Sequence, residues 1–276
     1  MAEQRFEAWT VGAAHERYMG RWSRLVADEF VAWLDCADGL RWLDVGCGTG
    51  VLAAVVAAGR RPRVVVGIDR SEAFVRAART AAADSTCCVV ADAMALPVRD
   101  ASFDVAVSAL TLNFLAEPAA AVAEMARVVR PGGPVAAYVW DYADGMGFLR
   151  RFWDAAAEAE PTAAAVDEGR RFPVCRPEAL HAVWADAGLA DVSTVPIEVP
   201  TDFADFDDLW EPFLGQGPAP GYVAALPPSD RDRVRDALSA AVPRRSDGSI
   251  RLTARAWAVS GGKPVRAPMS EAPSRP

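Results

Sequence analysis

The sequence contains few of the residues that support several common kinds of catalysis. Among its 276 residues there are two histidines, His15 and His181, and Lys263 is the single lysine. The two histidines are far apart and have no carboxylate or thiolate spacing typical of a metal site, so no metal is predicted. One lysine near the C-terminal end leaves no candidate for a Schiff-base or lysine-base mechanism.

Cysteines and long apolar runs are also scarce. The five cysteines are odd in number and form no C-x-x-C pair, which indicates reduced thiols rather than a disulfide framework. No uninterrupted apolar run reaches the ~18 residues of a membrane span, and the N-terminus lacks a signal-peptide pattern. We therefore expect a cytoplasmic protein without membrane insertion.

The net charge of −8 argues against a nucleic-acid partner, because a polyanion needs a basic groove on the protein that binds it. A small-molecule substrate is expected instead. Hydrophobic residues make up 52% of the chain, which is enough for one large domain with or without a cap. The sequence leaves open whether the protein is a monomer or a homodimer.

The segment that is most informative about function is Leu-Asp-Val-Gly-Cys-Gly-Thr-Gly at residues 43–50. It begins as a short apolar strand that carries Asp44 near its end. Its three glycines allow positive φ angles and let the backbone approach a ligand closely. Residues 51–58 predict a helix whose free N–H groups face this turn. The segment therefore predicts a cofactor loop.

This loop does not match a dinucleotide-binding fingerprint. That fingerprint has glycine at its first, third and sixth positions, and the sixth position here is Val51. Asp44 also places a negative charge where a pyrophosphate would lie. S-adenosylmethionine has no phosphate and carries an α-ammonium and a sulfonium, so an acid beside the loop favours it. A nucleotide-dependent oxidoreductase is the less favoured alternative.

Acidic residues follow two further predicted strands. The β-branched run 63–69 ends in Asp69, about 20 residues after the glycines, where a ribose-binding carboxylate is expected. The run 86–91 leads into Asp92, which would reach the adenine amino group. Because parallel strands present their carboxyl ends at one edge of a sheet, both acids are predicted to line one site.

Taken together, these segments resemble the class I S-adenosylmethionine-dependent methyltransferases, specifically the small-molecule branch called type 11 or ubiquinone/menaquinone-methyltransferase-like. The similar segments are the family's first motif at 43–50, its second at 66–70, its adenine segment at 91–97, its fourth strand at 103–104 and the turn before its fifth strand at 127–133. The resemblance implies an α/β fold with a doubly wound, seven-stranded, mostly parallel sheet of the Rossmann-like methyltransferase type.

The resemblance also implies a set of cofactor-binding residues. They are Tyr18, Arg24, Asp44, Gly46, Cys47, Gly48, Asp69, Arg70, Asp92, Ala93 and Leu110. In relatives, an aromatic ring and an arginine from the N-terminal helices close over the methionine half of the cofactor, and Tyr18 and Arg24 resemble that pair. Arg24 would then bind the methionine carboxylate. The alternative for such aromatic residues is that they only pack the helix onto the domain.

The chain outside the motifs is predicted to cap the site. We expect N-terminal cap helices over 1–35, a methyltransferase domain over 36–260 and a disordered tail over 261–276. Strands six and seven are predicted over 192–199 and 250–259. The helical insertion 201–245 between them is longer than a usual hairpin connection and is a candidate substrate lid.

Nine tryptophans and several phenylalanines favour an aromatic or heteroaromatic acceptor over a sugar, with secondary metabolism as one setting. The candidate acceptor-binding residues are Trp22, Asn113, Trp140, Tyr142, Phe213 and Tyr222. Whether nitrogen, carbon or oxygen is methylated stays open.

No residue stands out as a catalytic base. Tyr18, Asp141 and His15 are the candidates, and none has a clear lead. Many relatives carry a histidine pair after the fourth strand, where this chain has Thr111-Leu-Asn113. A noncatalytic S-adenosylmethionine-binding or scaffold protein, which would keep Gly46, Asp69 and Asp92 but have its acceptor side filled, stays open as an alternative.

Overall fold

A computed structural model describes residues 20–215 and 217–265 of the chain. Its centre is one seven-stranded sheet with the strand order β3-β2-β1-β4-β5-β7-β6. The strands are β1 Arg41–Val45, β2 Val64–Asp69, β3 Thr86–Val90, β4 Val105–Ala109, β5 Pro134–Trp140, β6 Ala190–Phe203 and β7 Ile250–Gly262. Strands β1 to β5 are parallel, and β7 is antiparallel to both neighbours. The predicted fold class is confirmed.

Helices connect β1 to β2, β2 to β3 and β4 to β5, whereas residues 91–104 lead from β3 to β4 without a helix. Further helices fill the connections to β6 and β7. The helices are α1 Arg21–Leu34, α2 Val51–Gly59, α3 Glu72–Ala81, α4 Pro118–Val128, α5 Gly147–Ala159, α6 Glu168–Arg171, α7 Pro177–Asp186, α8 Phe206–Trp210, α9 Pro218–Ala225 and α10 Pro228–Ala241. Short 3-10 turns cover Leu112–Phe114, Pro161–Ala165, Pro173–Cys175 and Glu211–Leu214. No helix in the described part of the chain has the length and apolar character needed to cross a membrane.

The order of the strands places a crevice beside β1. From β1 the chain moves outward to β2 and β3, and then returns to the other side of β1 as β4 and β5. Strands β4 and β5 are buried along almost their whole length, which explains their continuous apolar sequences. In such sheets ligands bind at the carboxyl ends of the strands, where the strand order reverses.

Two predicted boundaries in the C-terminal part are wrong. Strand β6 is longer than the predicted 192–199, and β7 continues to Gly262, so the first two residues of the predicted tail belong to the sheet. Gly262 pairs with Pro134 on β5, and the Lys263 ammonium donates to two main-chain carbonyls, Arg127 O at 3.0 Å and Val129 O at 2.8 Å. These long-range bonds keep the strand in place despite its glycines. Residues 266–276 lie outside the described residues.

Helix α1 is the described part of the predicted N-terminal cap. Its apolar face buries Trp22, Val26 and Phe30, with the Phe30 ring 4.8 Å from that of Tyr138 on β5. The guanidinium of Arg21 binds Asp208 of α8 through Nη1–Oδ1 at 2.9 Å and Nη2–Oδ2 at 3.3 Å. Helix α1 is therefore joined to the insertion as well as to the sheet.

The insertion between β6 and β7 forms an aromatic core with α5. The ring of Phe213 stacks on that of Phe152 at 4.3 Å and 12°, and Tyr222 packs against Trp153 at 5.4 Å. Helix α10 also lies along α5. The aromatic residues of the insertion are thus directed into the protein, a point that bears on its predicted role as a lid.

Candidate functional site

A cavity of about 370 Å³ opens at the carboxyl ends of β1, β2 and β4. Its size is within the range of small-molecule sites. The lining comes from helices α1, α2 and α3, the glycine loop, strands β2, β4 and β5, and the turns after β2, β3 and β4. The lining residues are Ser23, Gly46, Cys47, Gly48, Thr49, Val51, Leu52, Ile68, Asp69, Arg70, Ser71, Phe74, Ala91, Asp92, Ala93, Met94, Ala109, Leu110, Thr111, Phe114, Leu115, Ala116 and Tyr138. The cavity is therefore at the sheet edge where the sequence predicted a site.

The glycine loop is fixed by main-chain bonds and by close packing. The N–H groups of Gly46 and Cys47 both donate to Ile68 O, at 2.7 and 2.9 Å, and the Thr111 hydroxyl donates to Gly46 O at 2.9 Å. Gly46 has φ +74°, and a Cβ at this position would collide with the Thr111 side chain. Glycine is required here by conformation and by space.

Alanine substitutions at two glycines of the loop test the packing of Gly46 against Thr111, with Gly48 as the matched control. An alanine at Gly46 is both strained and overpacked, which should cost roughly 2–5 kcal/mol of unfolding free energy. Gly48 also has a positive φ, of +51°, but nothing lies within 4 Å of the position that a Cβ would occupy. Gly48→Ala should therefore cost about 1–2 kcal/mol from strain alone. Urea denaturation measures both values, and equal losses would contradict the packing of Gly46 against Thr111.

Asp69 ends β2 and is oriented by the backbone around it. Its Oδ2 accepts from Gly48 N at 3.0 Å, and its Oδ1 accepts from Ser71 N at 2.8 Å. Each carboxylate oxygen can accept a further hydrogen bond. The sequence predicted Asp69 as a ligand-binding acid, and the structure adds that the same carboxylate joins the glycine loop to the β2–α3 turn.

Asp92 follows β3 and also lines the cavity. Its Oδ1 accepts from Met94 N at 2.8 Å, which holds the carboxylate against the turn after β3. Ala93, Met94 and Phe74 line the cavity beside it and offer apolar surface. The combination of an acid with flanking apolar side chains suits a flat, polar-edged group such as a purine base.

Asp44 lies beneath the loop rather than in the cavity wall. It is 1% exposed, and neither carboxylate oxygen makes a hydrogen bond of good geometry within the described residues, although the main-chain N–H of Ala53 is close enough to favour the charged form. Burial raises the pKa of this carboxyl to about 7, and the nearby negative charge of Asp69 adds to that rise. Asp44 thus provides a titratable charge close to the loop, without the direct cavity contact that the sequence suggested.

Asp44→Asn should change how stability depends on pH. A carboxyl whose folded pKa of about 7 exceeds its unfolded value of about 3.9 contributes stability below pH 4, and this stability is lost as the pH rises to 7. Asparagine has no such ionisation. The difference in unfolding free energy, Asp44→Asn minus wild type, should therefore be larger at pH 8 than at pH 5 by on the order of 2 kcal/mol. Denaturant titrations at both pH values would contradict this if the difference stayed constant.

The other predicted cofactor residues are divided between the cavity and the surface. Cys47, Arg70, Ala93 and Leu110 all line the cavity. Arg24 is exposed on α1 and does not, although its neighbour Ser23 does. Tyr18 and His15 lie outside the described residues, so their predicted roles stay predictions.

Three of the predicted acceptor residues instead pack the protein interior. Trp22 lies between Phe148 at 5.0 Å and Phe203 at 5.3 Å, and Phe213 and Tyr222 belong to the aromatic core of the insertion. None of these three lines the cavity. No described residue of the insertion does so either, and the packing of its aromatic residues against α5 explains why.

The remaining candidates lie at the end of β5 or in the turns that follow β4 and β5. Trp140 and Tyr142 are buried, and Tyr142 packs 5.5 Å from Phe172. Asn113 is 8% exposed, and its Nδ2 has no hydrogen-bond partner in the described part of the chain. None of these side chains reaches the cavity lining.

Asp141, a predicted base, is held in a buried ion pair. Its Oδ2 accepts from Arg255 Nε at 2.8 Å and Nη2 at 2.7 Å, and its Oδ1 accepts from Asp144 N at 3.0 Å. It does not line the cavity. The carboxylate therefore braces the turn after β5 against β7 and is not placed to take a proton from an acceptor in this cavity.

Sequence reasoning missed several residues that do line the cavity. Thr111, Phe114 and Leu115 follow β4, and the rule that ligands bind after parallel strands could have selected them. Tyr138 lies within β5 and Ser23 within α1, and no local signal marks either as a wall residue. Leu110 adopts φ +55°, a left-handed conformation that directs the chain from β4 into this wall.

Comparison with known proteins now identifies the domain. Residues 43–137 match a family model described as a methyltransferase domain. This part of the chain belongs to the methyltransferase family. The predicted family is confirmed, and the matched residues include the glycine loop, Asp69, Asp92 and the turn after β4.

The names of relatives of this domain refer to different methyl acceptors. The chain is 40% identical over 97 residues to a demethylmenaquinone methyltransferase from Roseiflexus castenholzii, covering 35% of this chain and 41% of that protein. It is 33% identical over 122 residues to a tRNA (carboxymethyluridine(34)-5-O)-methyltransferase from Mus musculus, covering 43% of this chain and 17% of that protein. The chain thus spans less than half the length of these relatives.

Solved structures agree on the fold. Phosphoethanolamine N-methyltransferase 2 from Haemonchus contortus, determined with S-adenosyl-L-methionine, has a TM-score of 0.56 and 16% sequence identity. The alignment covers 92% of this chain and 57% of that one. The likeness extends over almost the whole chain and so includes elements beyond the matched domain.

Proposed function

We propose that the protein binds S-adenosylmethionine in the 370 Å³ cavity and transfers its methyl group to a small acceptor. The observation that carries this proposal is the meeting of the glycine loop, Asp69 and Asp92 around one cavity in a methyltransferase domain. The two acids and the absence of the dinucleotide glycine pattern favour an adenosyl ligand without phosphates.

Each of these residues has a distinct part in binding. Asp69, held by Gly48 N and Ser71 N, would accept hydrogen bonds from the two ribose hydroxyls. Asp92 would accept from the adenine amino group, with Phe74 and Met94 on either side of the base. The backbone of residues 46–48 would lie along the methionine half, where the charge of buried Asp44 attracts positive groups.

The sulfonium supplies an activated methyl group when bound, and the protein has to bring a nucleophile in line with it at ~3 Å. The described residues that line the cavity include no histidine and no glutamate, and the two aspartates are committed to the adenosyl half. We infer that positioning by Leu110, Phe114 and Tyr138 contributes most of the rate. Where the acceptor needs a base, His15 and Tyr18, which lie outside the described residues, stay candidates.

An aromatic or heteroaromatic acceptor is favoured by the apolar part of the cavity lining. Phe114, Leu115 and Tyr138 contribute apolar and aromatic surface to it. The Roseiflexus relative is named a demethylmenaquinone methyltransferase, and that name is consistent with such an acceptor. A tRNA acceptor, as in the name of the mouse relative, is opposed by the net charge of −8.

A panel assay tests the proposal. The protein would be incubated with methyl-labelled S-adenosylmethionine and with phenols, indoles, quinols and bulk tRNA, and labelled products measured by mass spectrometry. A labelled small aromatic product, lost in Asp69→Ala, is the expected result. Labelled tRNA would overturn the small acceptor. Cofactor binding without any product across the panel would favour the noncatalytic alternative.

A further inference from the structure

A second cavity, of about 240 Å³, lies between α5 and the chain that runs from the 3-10 turn Pro161–Ala165 through α6 to Arg176, just before α7. It shares no lining residue with the first cavity. A layer of rings separates the two: Phe114 of the first cavity packs 5.6 Å from Phe172, and Phe172 packs 5.5 Å from Tyr142, whose neighbour Ala143 lines the second cavity. The second cavity is thus a separate site behind the wall of the first.

One arginine of this cavity is rigidly held. Arg150 of α5 binds Asp167 through two parallel contacts, Nη1–Oδ2 at 2.9 Å and Nη2–Oδ1 at 2.5 Å. Asp167 Oδ1 also accepts from Gly169 N at 2.8 Å, so the acid caps α6 at the same time. The pair is mostly buried, with side chains 17% and 11% exposed, and it fixes the floor of the cavity.

Two further arginines at the cavity have no side-chain partner within the described residues. Arg170 and Arg176 are exposed, and within the described residues neither side chain has a hydrogen bond or ion pair. The one other charged lining residue is Asp154, which is also exposed. Three arginines against two aspartates give the described lining a net charge of +1, in a chain whose net charge is −8. A local excess of guanidinium groups around a concave surface is suited to an oxyanion.

We propose that the second cavity binds a phosphate group, free or as the ester of a small molecule. The guanidinium groups of Arg170 and Arg176 match the charge of a dianion, and their planar forks can each donate two hydrogen bonds to phosphate oxygens. The indole of Trp153 and the methyl groups of Ala157 and Ala164 line the rest of the cavity and leave room for an organic substituent. The proposal does not depend on the activity of the first cavity.

Calorimetric titration of the full chain with inorganic phosphate and with glycerol 3-phosphate tests this site and distinguishes the two sources. At least one probe should bind saturably, with a dissociation constant on the order of millimolar. The double variant Arg170→Gln/Arg176→Gln should bind at least tenfold more weakly. Asp154→Asn should bind about two- to fivefold more tightly, because a like charge is removed from the cavity.

Two single variants serve as controls. Arg99→Gln removes an exposed arginine that lines neither cavity, and Arg70→Gln removes the arginine that lines the first cavity. Both should bind the probe within twofold of the wild type. Loss of binding in Arg70→Gln would move the anion to the first cavity and overturn the proposal. So would wild-type affinity in the double variant, or no saturable binding of either probe.

Discussion

Replacing Asp69 with alanine should weaken the binding of S-adenosylhomocysteine by tenfold or much more. The carboxylate lines the cavity and is oriented by two main-chain donors, at 3.0 Å from Gly48 N and 2.8 Å from Ser71 N. Two charge-assisted hydrogen bonds to the ribose diol, each worth roughly 1.5–3 kcal/mol, would be lost. Calorimetry on the purified variant measures the effect.

The same substitution also frees the two N–H groups, so its effect on the loop has to be separated from its effect on the ligand. Urea denaturation of the ligand-free variant reports the loss of the loop contacts. Asp84→Ala is a suitable control, because Asp84 is an exposed acid before β3 whose side chain has no hydrogen bond or ion pair within the described residues and lies outside the cavity lining. An unchanged dissociation constant in a folded Asp69→Ala protein would remove Asp69 from the site.

Phe213→Ala should destabilise the protein by roughly 3–5 kcal/mol while leaving cofactor affinity unchanged. The ring is fully buried, stacks on Phe152 at 4.3 Å and packs 5.9 Å from Trp210. Its removal leaves a cavity between α5 and the insertion, away from the residues that line the first cavity. Denaturant unfolding measures the stability, and calorimetry measures the affinity.

Leu214, the next residue, is the matched control. Its side chain is 56% exposed, so Leu214→Ala should change the unfolding free energy by no more than about 0.5 kcal/mol. A Phe213→Ala protein of wild-type stability that loses cofactor or acceptor binding would instead restore the insertion as a lid over the site.

The cofactor side of the site was predictable from sequence because its signals are local. Glycines that need a positive φ, such as Gly46, and acids that directly follow β-branched runs, such as Asp69 and Asp92, are recognisable from their immediate neighbours. Since parallel strands end at one edge, the position of each acid in the chain also fixed its position in the fold. The strand order then brought them to one cavity.

The acceptor side was not predictable, because residue type does not separate a packed ring from a cavity wall. Trp22 and Phe213 have the character expected of an aromatic pocket, but their partners Phe148 and Phe152 lie far away in sequence. Asp141 likewise pairs with Arg255, 114 residues further along the chain. Only tertiary packing decides whether such residues face the interior or a ligand.

The most direct test of the account is a calorimetric titration of the wild-type chain with S-adenosylhomocysteine, run in parallel with NADH. We expect saturable one-to-one binding of S-adenosylhomocysteine and no binding heat with NADH. Hydrogen exchange of the complex should show added protection in residues 46–48, 69–71 and 92–94, which surround the cavity. Binding of NADH with no heat from S-adenosylhomocysteine up to millimolar concentration would contradict the assignment of this cavity.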